Sequence, residues 1–360
     1  MINKAMIEIP PKFANMPPIN PESRRQDTGL NIWQEAQGLA EDVRYYGKWM
    51  RDEAEKRIGH LYPRVRVTPE MVRERSDLKP YEGRELTVIA WIWARTVKSP
   101  NPAFRDIDVP LISTYVLSSK KGKEAWLEPK VNKENYRFAV RRSKPPEDAK
   151  NGNKLGRGAN FQCILSGTPI EPAYIKSEGK AGRMGQKLIA VVCEGDRERV
   201  YVEADKGIEK IAFSAEPEWQ PDLLMPKNPR WFSPPDYGFP SYGDIFTKRQ
   251  LVALNTFSDL LQETKDKVIN DAKKTGFSND GSELGKSEDS GLSYGDAIAV
   301  YLAFGIGRSS DAWSSLVGWR VQVEATRNTF ARQALPMVWD FAEANPFSTS
   351  CGNWCGVGID

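Results

Sequence analysis

The sequence predicts a mixed α/β fold in which helical segments flank a β-rich block. Apolar residues recur at steps of three and four over residues 32–50, and strand-like patterns then dominate residues 85–203 before helical periodicity returns. This order of elements is typical of a β-rich insertion in an α/β framework. We therefore predict three segments: a helical segment over 1–84, a β-rich insertion over 85–213, and a returning helical segment over 214–360.

The first segment opens with the proline-rich residues 9–23, which we expect to run extended over a surface. A long helix is predicted next, with Asp27 or Thr28 capping its start and Gly59 closing its end. Its apolar stripe is formed by residues about one helical turn apart, which are Ile32, Ala36, Leu39, Val43, Tyr46 and Met50. A short helix is expected after Thr68, because a proline follows at the first helical position.

The β-rich insertion contains several stretches with the composition of strands. Residues 86–97 are apolar and partly β-branched, whereas residues 110–118 and 136–140 alternate in polarity. Residues 187–194, with the sequence KLIAVVCE, predict a buried strand, and residues 199–203 predict its neighbour. These stretches are separated by polar, glycine-containing loops.

The returning segment begins with an irregular stretch over 214–246, which is rich in proline, tryptophan and tyrosine. A helix is predicted to start after Thr247, because Thr247 and Gln250 fit the capping-box pattern, and Gly276 is its predicted end.

Two further helices are predicted towards the end of the chain. The polar and acidic stretch 278–290 is expected to be a flexible loop. Helices then fit residues 293–306 and residues 322–344, and the second of these is interrupted at Pro336.

Composition and charge narrow the classes of function. The 51 Lys+Arg residues exceed the 48 Asp+Glu residues by a net charge of only +3, which does not require a polyanionic partner. No apolar run reaches the ~18 residues of a membrane span, and the N-terminus lacks the apolar core of a secretory signal. We therefore expect a cytoplasmic protein with no membrane partner.

The single histidine and the cysteines exclude several kinds of site. His60 is the only histidine, so a Ser-His-Asp or Cys-His relay, or a histidine-rich metal centre, would have to include it. Because a helix is predicted to end there, His60 is predicted to be a surface residue without such a role. The cysteines are expected to be reduced thiols. Cys351 and Cys355 lie in a tail that we expect to be frayed, with a metal site or a disulfide as the alternative.

Five long stretches carry a resemblance to a known family. They are INKAMIEIPPKFANMPPINPE (2–22), IAWIWARTVKSPNPA (89–103), SEGKAGRMGQKLIAVVCEGDRERVY (177–201), YGDIFTKRQLVALNTFSDLLQE (242–263) and EATRNTFARQALPMVWDFAEANPFS (324–348). In this order they resemble the large zinc-ribbon-containing, adenine-specific DNA methylases. The resemblance implies a doubly wound, Rossmann-like sheet that binds S-adenosylmethionine. It also implies methylation of the adenine amino group in DNA, with the base flipped into a pocket.

The motifs that carry methyl transfer in that family are not found in these 360 residues. The resemblance implies a glycine-rich turn before Ile2 and an Asp-Pro-Pro-Tyr motif after Ser348. Neither Gly305-Ile306-Gly307, which follows a helical pattern, nor Ser233-Pro234-Pro235-Asp236-Tyr237, which has a different letter order, is expected to replace them. We therefore expect an interior fragment of the enzyme, with no catalytic residues and no S-adenosylmethionine bound by this chain alone.

The zinc ribbon implied by the resemblance is degenerate in this sequence. Ser99 and Phe104 occupy the positions of its first cysteine pair, and the second pair retains Cys163 but has Ser166. Zinc takes about four thiolate or imidazole ligands. We therefore expect no zinc and a ribbon-shaped fold held by packing.

Basic residues of the β-rich insertion are the candidates for DNA contact. Cations interleaved with aromatic rings on a strand surface can follow a phosphate backbone, and the alternative is an ordinary solvated face. The candidates are Arg95, Lys98, Lys120, Lys121, Lys123, Arg141, Arg142, Lys180 and Arg183. Two hypotheses follow: an interior part of a DNA methyltransferase, or a non-catalytic DNA-binding or partner-binding subunit beside a chain that supplies the missing motifs.

Overall fold

A computed structural model describes residues 1–26, 32–133, 135–275 and 294–359. It is mixed helix and sheet, which confirms the predicted α/β class. The chain forms two compact units. The first unit comprises Met1–His60, Ala253–Ser310 and Asn353–Asp360, and the second comprises Leu61–Val252 and Asp311–Gly352. These boundaries differ from the predicted segment boundaries at residues 84 and 213.

Helices build most of the first unit. The α-helices of the described residues are α1 (Ile9–Lys12), α2 (Pro21–Gln26), α3 (Gln37–Ile58), α4 (Pro69–Glu74), α5 (Pro172–Lys180), α6 (Lys206–Phe213), α7 (Lys248–Lys274) and α8 (Tyr294–Ala312). A π-helical turn over Lys4–Glu8 precedes α1. None of these helices is both long and apolar enough to cross a membrane.

The strands all belong to the second unit. They are β1 (Val65–Arg66), β2 (Glu85–Leu86), β3 (Val88–Lys98), β4 (Asp108–Leu111), β5 (Val116–Ser118), β6 (Ala125–Val131), β7 (Tyr136–Arg141), β8 (Phe161–Gln162), β9 (Pro169–Ile170), β10 (Gly185–Glu194), β11 (Arg199–Glu203), β12 (Trp319–Arg320), β13 (Ala325–Thr326) and β14 (Asp340–Ala344). The main sheet has the order β11-β10-β3-β14, with β4 also paired to β3, and β5-β6-β7 form a second sheet. Every ladder between these named strands is antiparallel. The described part of the chain therefore contains no parallel ladder of a doubly wound sheet.

The centre of the second unit is β3, which confirms the strand predicted over residues 86–97. All but the last residue of β3 are buried, because β10 and β14 flank it and its apolar and β-branched side chains fill the core on both faces. The strands predicted over 187–194, 199–203 and 136–140 are also confirmed, as β10, β11 and β7. Pairing of β10 with β11 is antiparallel and in continuous register.

The helix predicted over residues 322–344 is wrong. This stretch contains β13, a series of turns, and β14. In β14, Phe341 lies opposite Trp93 and Ala342 lies opposite Ile92 of β3. Alanine and glutamate favour a helix locally, but pairing and burial against β3 outweigh that propensity.

The extended path predicted for residues 9–23 is also wrong over much of its length. Pro10 and Pro11 occupy the first turn of α1, and Pro21 begins α2. Proline is accepted at these positions because the first N–H groups of a helix have no partner within the helix.

The long helix α3 begins later than predicted. It starts at Gln37, and Ile32 precedes it with 82% of its surface exposed. Asp27 and Thr28, the predicted caps, lie outside the described residues. The predicted end is confirmed, since Gly59 follows the last helical residue. The buried members of the predicted stripe are Leu39, Tyr46 and Met50.

The capping box predicted for α7 is confirmed by two reciprocal hydrogen bonds. The Gln250 backbone N–H donates to Thr247 Oγ1 at 3.1 Å, and the Thr247 N–H donates to Gln250 Oε1 at 2.8 Å. Gly276 and the predicted loop over 278–290 lie outside the described residues. The helix predicted over 293–306 corresponds to α8, which continues beyond the predicted end to residue 312.

The frayed tail predicted around Cys351 and Cys355 is wrong. Trp354 is fully buried, and its ring stacks on Phe257 with centroids 4.4 Å apart. Its indole N–H donates to the Gly47 carbonyl at 2.8 Å. One large aromatic residue therefore fixes the end of the chain inside the first unit, and both cysteines are free thiols.

Candidate functional site

A buried ion pair lies at the centre of the second unit. Arg249 Nη2 donates to Glu343 Oε2 at 2.6 Å, and the two side chains are 0% and 1% exposed. Glu343 also accepts hydrogen bonds from Trp93 Nε1 at 2.8 Å and from Thr247 Oγ1 at 2.7 Å. Both carboxylate oxygens are therefore fully used, as a buried charge requires.

The positive partner is equally well enclosed. The guanidinium of Arg249 lies 4.0 Å from the centroid of the Trp91 ring and 5.1 Å from that of Tyr62. Its Nη1 donates to the Leu61 carbonyl at 2.8 Å. The pair joins the start of α7 to β3 and β14. Because both charges are buried and used in hydrogen bonds within the chain, we infer that the pair anchors these elements and is not catalytic.

A second cluster contains the positions that the family resemblance assigns to zinc ligands. Ser99, at the end of β3, donates from Oγ to Cys163 Sγ at 3.4 Å. Burial acts to raise the pKa of the Cys163 thiol, but hydrogen bonds from the Ser166 and Ser99 side chains and from the Ser166 and Leu165 N–H groups lower it below its usual value. Two of the four assigned positions, Ser99 and Cys163, are therefore joined by a side-chain hydrogen bond, and Ser166 follows Cys163 by three residues.

The backbone after Cys163 forms a tight turn around that sulfur. The Gly167 N–H donates to the Cys163 carbonyl at 2.8 Å, and the Cys163 N–H donates to the Thr168 carbonyl at 2.8 Å. Gly167 has a φ of 67°, a left-handed conformation that glycine adopts without strain. The Asn101 amide donates to Thr168 Oγ1 at 3.3 Å and ties the opposite loop to this turn.

The residues at this cluster do not fit zinc. One thiol and two hydroxyl groups replace the set of thiolate or imidazole ligands that a structural zinc ion needs. Among the described residues, no group of three or more His, Cys, Asp or Glu side chains is placed to hold a metal ion.

Arg95 is not exposed, although the sequence suggested it as a DNA contact. Its side chain is buried, Nε donates to the Val338 carbonyl at 2.8 Å, and Nη2 donates to Ser315 Oγ at 2.8 Å. The guanidinium lies 4.4 Å from the centroid of the Phe239 ring. Burial lowers the pKa of Arg95. A phosphate group could not reach this cation without opening the core, so Arg95 is removed from the candidates.

Most of the other candidate cations have partners inside the chain. The ion pairs are Lys98–Asp108, Lys120–Glu324, Arg141–Glu128, Arg142–Glu198 and Arg183–Glu178. Lys123 Nζ donates to the Arg197 carbonyl at 3.2 Å. Lys121 and Lys180 are exposed, and neither has an ion pair within the described ranges.

The structure brings together five of these candidates and separates the others. Lys120, Lys121 and Lys123 lie on the turn between β5 and β6, and Arg142 Nη1 donates to the Lys123 carbonyl at 3.0 Å. Arg141 ends β7 in the same sheet. In contrast, Lys180 and Arg183 lie at the end of α5. The β5-β6-β7 sheet therefore carries the densest group of predicted DNA contacts.

The proline–tyrosine stretch forms a 3-10 helical turn over Pro234–Tyr237. The Tyr237 ring packs edge-on against Trp339 with centroids 4.9 Å apart. Lys176 Nζ and Asp236 Oδ2 form an ion pair at 2.6 Å. The tyrosine is part of the core and offers no free face for a flipped base.

A cavity of about 460 Å³ opens beside the turn from β11 to α6. Arg64 and Arg66 line it together with the carboxylates of Glu74, Glu203 and Asp205. The Glu203 and Asp205 carboxylates already accept hydrogen bonds within the chain, because Glu203 accepts the Val140 N–H and Asp205 caps α6. The cavity is therefore lined by both positive and negative side chains. These side chains do not form a pair of a nucleophile and a general base.

Sequence reasoning missed the Arg249–Glu343 pair and the cations of the stretch 327–332. The available signal for Glu343 was a charged residue inside the apolar run DFAEA, which buried strands accept only with a partner. Arg327 and Arg332 were missed because the stretch was predicted to be helical, so their joint exposure on one loop was not expected.

Comparison with known proteins identifies no relative. No protein-family model matches the chain, and neither a curated protein nor a solved structure similar to it was found.

Proposed function

We propose that this chain is the central part of an S-adenosylmethionine-dependent, adenine-specific DNA methyltransferase, with a ribbon-like element that no longer binds zinc. The observation that carries the proposal is the cluster of Ser99, Cys163 and Ser166. Ser99 and Cys163 are 64 residues apart in the sequence, yet Ser99 Oγ lies 3.4 Å from Cys163 Sγ. These are positions that the resemblance to the methylase family assigns to zinc ligands.

The local chemistry of the cluster supports a zinc-ribbon origin. The pKa of the Cys163 thiol is lowered despite its burial, by hydrogen bonding that includes the Ser99 hydroxyl. Such hydrogen bonds stabilise a thiolate, which is the form of cysteine that binds zinc. A serine hydroxyl is smaller than a thiol, but it donates a hydrogen bond to sulfur at position 99 and to Thr168 at position 166, so both serines are held in the turn without a metal.

Three of the five segments that carry the resemblance also meet in one place. Trp93 belongs to the stretch 89–103, Arg249 to 242–263, and Glu343 to 324–348. All three side chains join in the same buried hydrogen-bond network. These segments therefore form one structural core, which is expected if they descend together from one parent enzyme.

The proposal places the cofactor-binding sheet and the adenine pocket in elements other than the antiparallel sheets of this chain. S-adenosylmethionine supplies the methyl group in the intact enzyme. No residue of this chain is assigned to the cofactor, because the 360 residues contain neither the glycine-rich strand-to-helix turn nor Asp-Pro-Pro-Tyr. The proposed contribution of this chain is the ribbon-like element and a basic surface for DNA.

The proposal is tested by a methyl-transfer assay. The chain is incubated with labelled S-adenosylmethionine and duplex DNA, alone or with a polypeptide that contains both missing motifs from a member of the methylase family. We expect N6-methyladenine, measured by mass spectrometry, only in the mixture. Methyl transfer by the 360-residue chain alone would contradict the proposal. So would a mixture that produces no more N6-methyladenine than the added polypeptide does without this chain.

A further inference from the structure

A surface loop of the second unit exposes two arginines and a phenylalanine. Arg327, Phe330 and Arg332 lie between β13 and β14 in a stretch without regular secondary structure. Both arginines are exposed, and the Phe330 ring retains 47% of its surface in contact with solvent. Exposed cations together with an exposed aromatic ring are the combination by which proteins bind single-stranded nucleic acids.

The loop is held rigidly from beneath by Asp311. The Asp311 carboxylate accepts the Phe330 N–H at 2.6 Å and the Asn328 amide N–H at 2.8 Å. Its carbonyl accepts the Thr329 hydroxyl at 2.7 Å, and the buried Thr329 Oγ1 lies 2.7 Å from Ser314 Oγ. These bonds fix the backbone before any ligand binds, which reduces the entropy lost on binding.

Neither guanidinium group of this loop has a salt-bridge partner among the described residues. Arg327 and Arg332 form no ion pair with a carboxylate of the described residues, unlike most cations of the β5-β6-β7 sheet. Both line one cavity of about 220 Å³, whose wall also includes Asn328, Thr329 and Gly318. Two unpaired cations at one concave site attract an anion, and guanidinium groups bind phosphate in a bidentate manner.

We propose that Arg327 and Arg332 bind a phosphodiester group of single-stranded DNA and that Phe330 stacks against an adjoining unpaired base. This inference rests on the proposed function and names a DNA-contact surface for it. The cavity is smaller than the ~300–1,000 Å³ of pockets that enclose a drug-sized ligand. It therefore accommodates a phosphate group, while the base lies outside on the exposed ring. Bases of an intact duplex are stacked on each other, so this ring selects unpaired DNA.

The test is fluorescence anisotropy with a labelled 20-nucleotide single strand and with the corresponding duplex, over a series of salt concentrations. Arg327→Ala/Arg332→Ala is expected to weaken single-strand binding about tenfold and to reduce the slope of log K against log salt by about 0.7 to 1.4. Phe330→Ala is expected to weaken single-strand binding about fivefold and to leave duplex binding unchanged, because stacking needs a free base.

A control variant with the same net charge isolates the site. Arg105→Ala/Arg157→Ala removes two exposed arginines from elsewhere in the second unit, and single-strand binding is expected to change less than twofold. Circular dichroism checks that every variant is folded.

Equal losses in the two double variants, or none in Arg327→Ala/Arg332→Ala, would overturn the inference. If the wild-type chain still binds DNA in that case, the proposed methyltransferase function stands with a different contact surface. Failure of the methyl-transfer assay is distinguished from failure of this inference, because that assay measures methylation and the anisotropy experiment measures DNA binding.

Discussion

Replacing Arg249 by methionine is expected to destabilise the second unit severely. Methionine retains much of the side-chain volume between the Trp91 and Tyr62 rings but removes the charge. Glu343 then loses the donors Nε, at 3.1 Å, and Nη2, at 2.6 Å, and keeps only Trp93 and Thr247. A carboxylate that is 1% exposed is left without a counter-charge.

The magnitude follows from the burial of both partners. Removing one member of a buried ion pair costs about 3–5 kcal/mol, because the other charge stays desolvated and unpaired. Glu343→Gln is expected to lower the free energy of unfolding by a similar amount, since it leaves the buried Arg249 guanidinium without a counter-charge. In Arg249→Met/Glu343→Gln no charge remains buried, so the loss is expected to be smaller than the sum of the single losses by at least about 1 kcal/mol.

Urea unfolding followed by tryptophan fluorescence and circular dichroism measures these differences. Lys98→Met is the matched control in the same unit, because it breaks the exposed Lys98–Asp108 pair, whose side chains are 43% and 55% exposed. That pair is expected to contribute about 0–1 kcal/mol. A loss below about 1 kcal/mol in Arg249→Met, or additive losses in the double variant, would refute the anchoring role.

Two further perturbations test local features. Burial raises the pKa of Asp42 above the value of 3.8 despite hydrogen bonds from Tyr294 and from residues 19 and 20, so its ionisation costs stability as the pH rises through the folded-state pKa. The stability of wild type relative to Asp42→Asn should therefore fall as the pH rises from about 4, and parallel pH profiles from urea unfolding would contradict this. Gly167→Ala should cost about 1–2 kcal/mol, since φ is 67° and nothing lies within 4 Å of the added methyl group, so only backbone strain acts. An unchanged melting temperature would show that the turn after Cys163 is not held in this conformation.

The parts of the fold that the sequence predicted correctly are those specified by local chemistry. The β-branched run of β3, the apolar run of β10 and the Thr247–Gln250 capping box each contain their own signal within a few neighbouring residues. The error over residues 322–344 has the opposite origin. Its strand β14 is specified by pairing with β3, which lies about 250 residues earlier in the chain, as the Trp93–Glu343 hydrogen bond shows.

The candidate sites divide in the same way. The resemblance identifies the positions of Ser99, Cys163 and Ser166 from the sequence, but only the structure shows that the Ser99 and Cys163 side chains meet. Arg95 was taken for a surface cation because a charged residue in a strand is usually exposed. Its neutral acceptors, the Val338 carbonyl and Ser315, come from distant parts of the chain, so no local sequence pattern indicates that Arg95 is buried.

The ribbon geometry on which the proposed function depends is tested most directly by restoring the missing ligands. We expect the variant Ser99→Cys/Phe104→Cys/Ser166→Cys, with the retained Cys163, to bind about one zinc ion per chain. With Co²⁺ it should give the absorption of a tetrahedral thiolate site. Adding Cys163→Ala to this variant should weaken metal binding, and the wild-type chain should contain far less than one zinc ion. Stoichiometric zinc in the wild-type chain, or none in the variant when it is folded, would contradict the account.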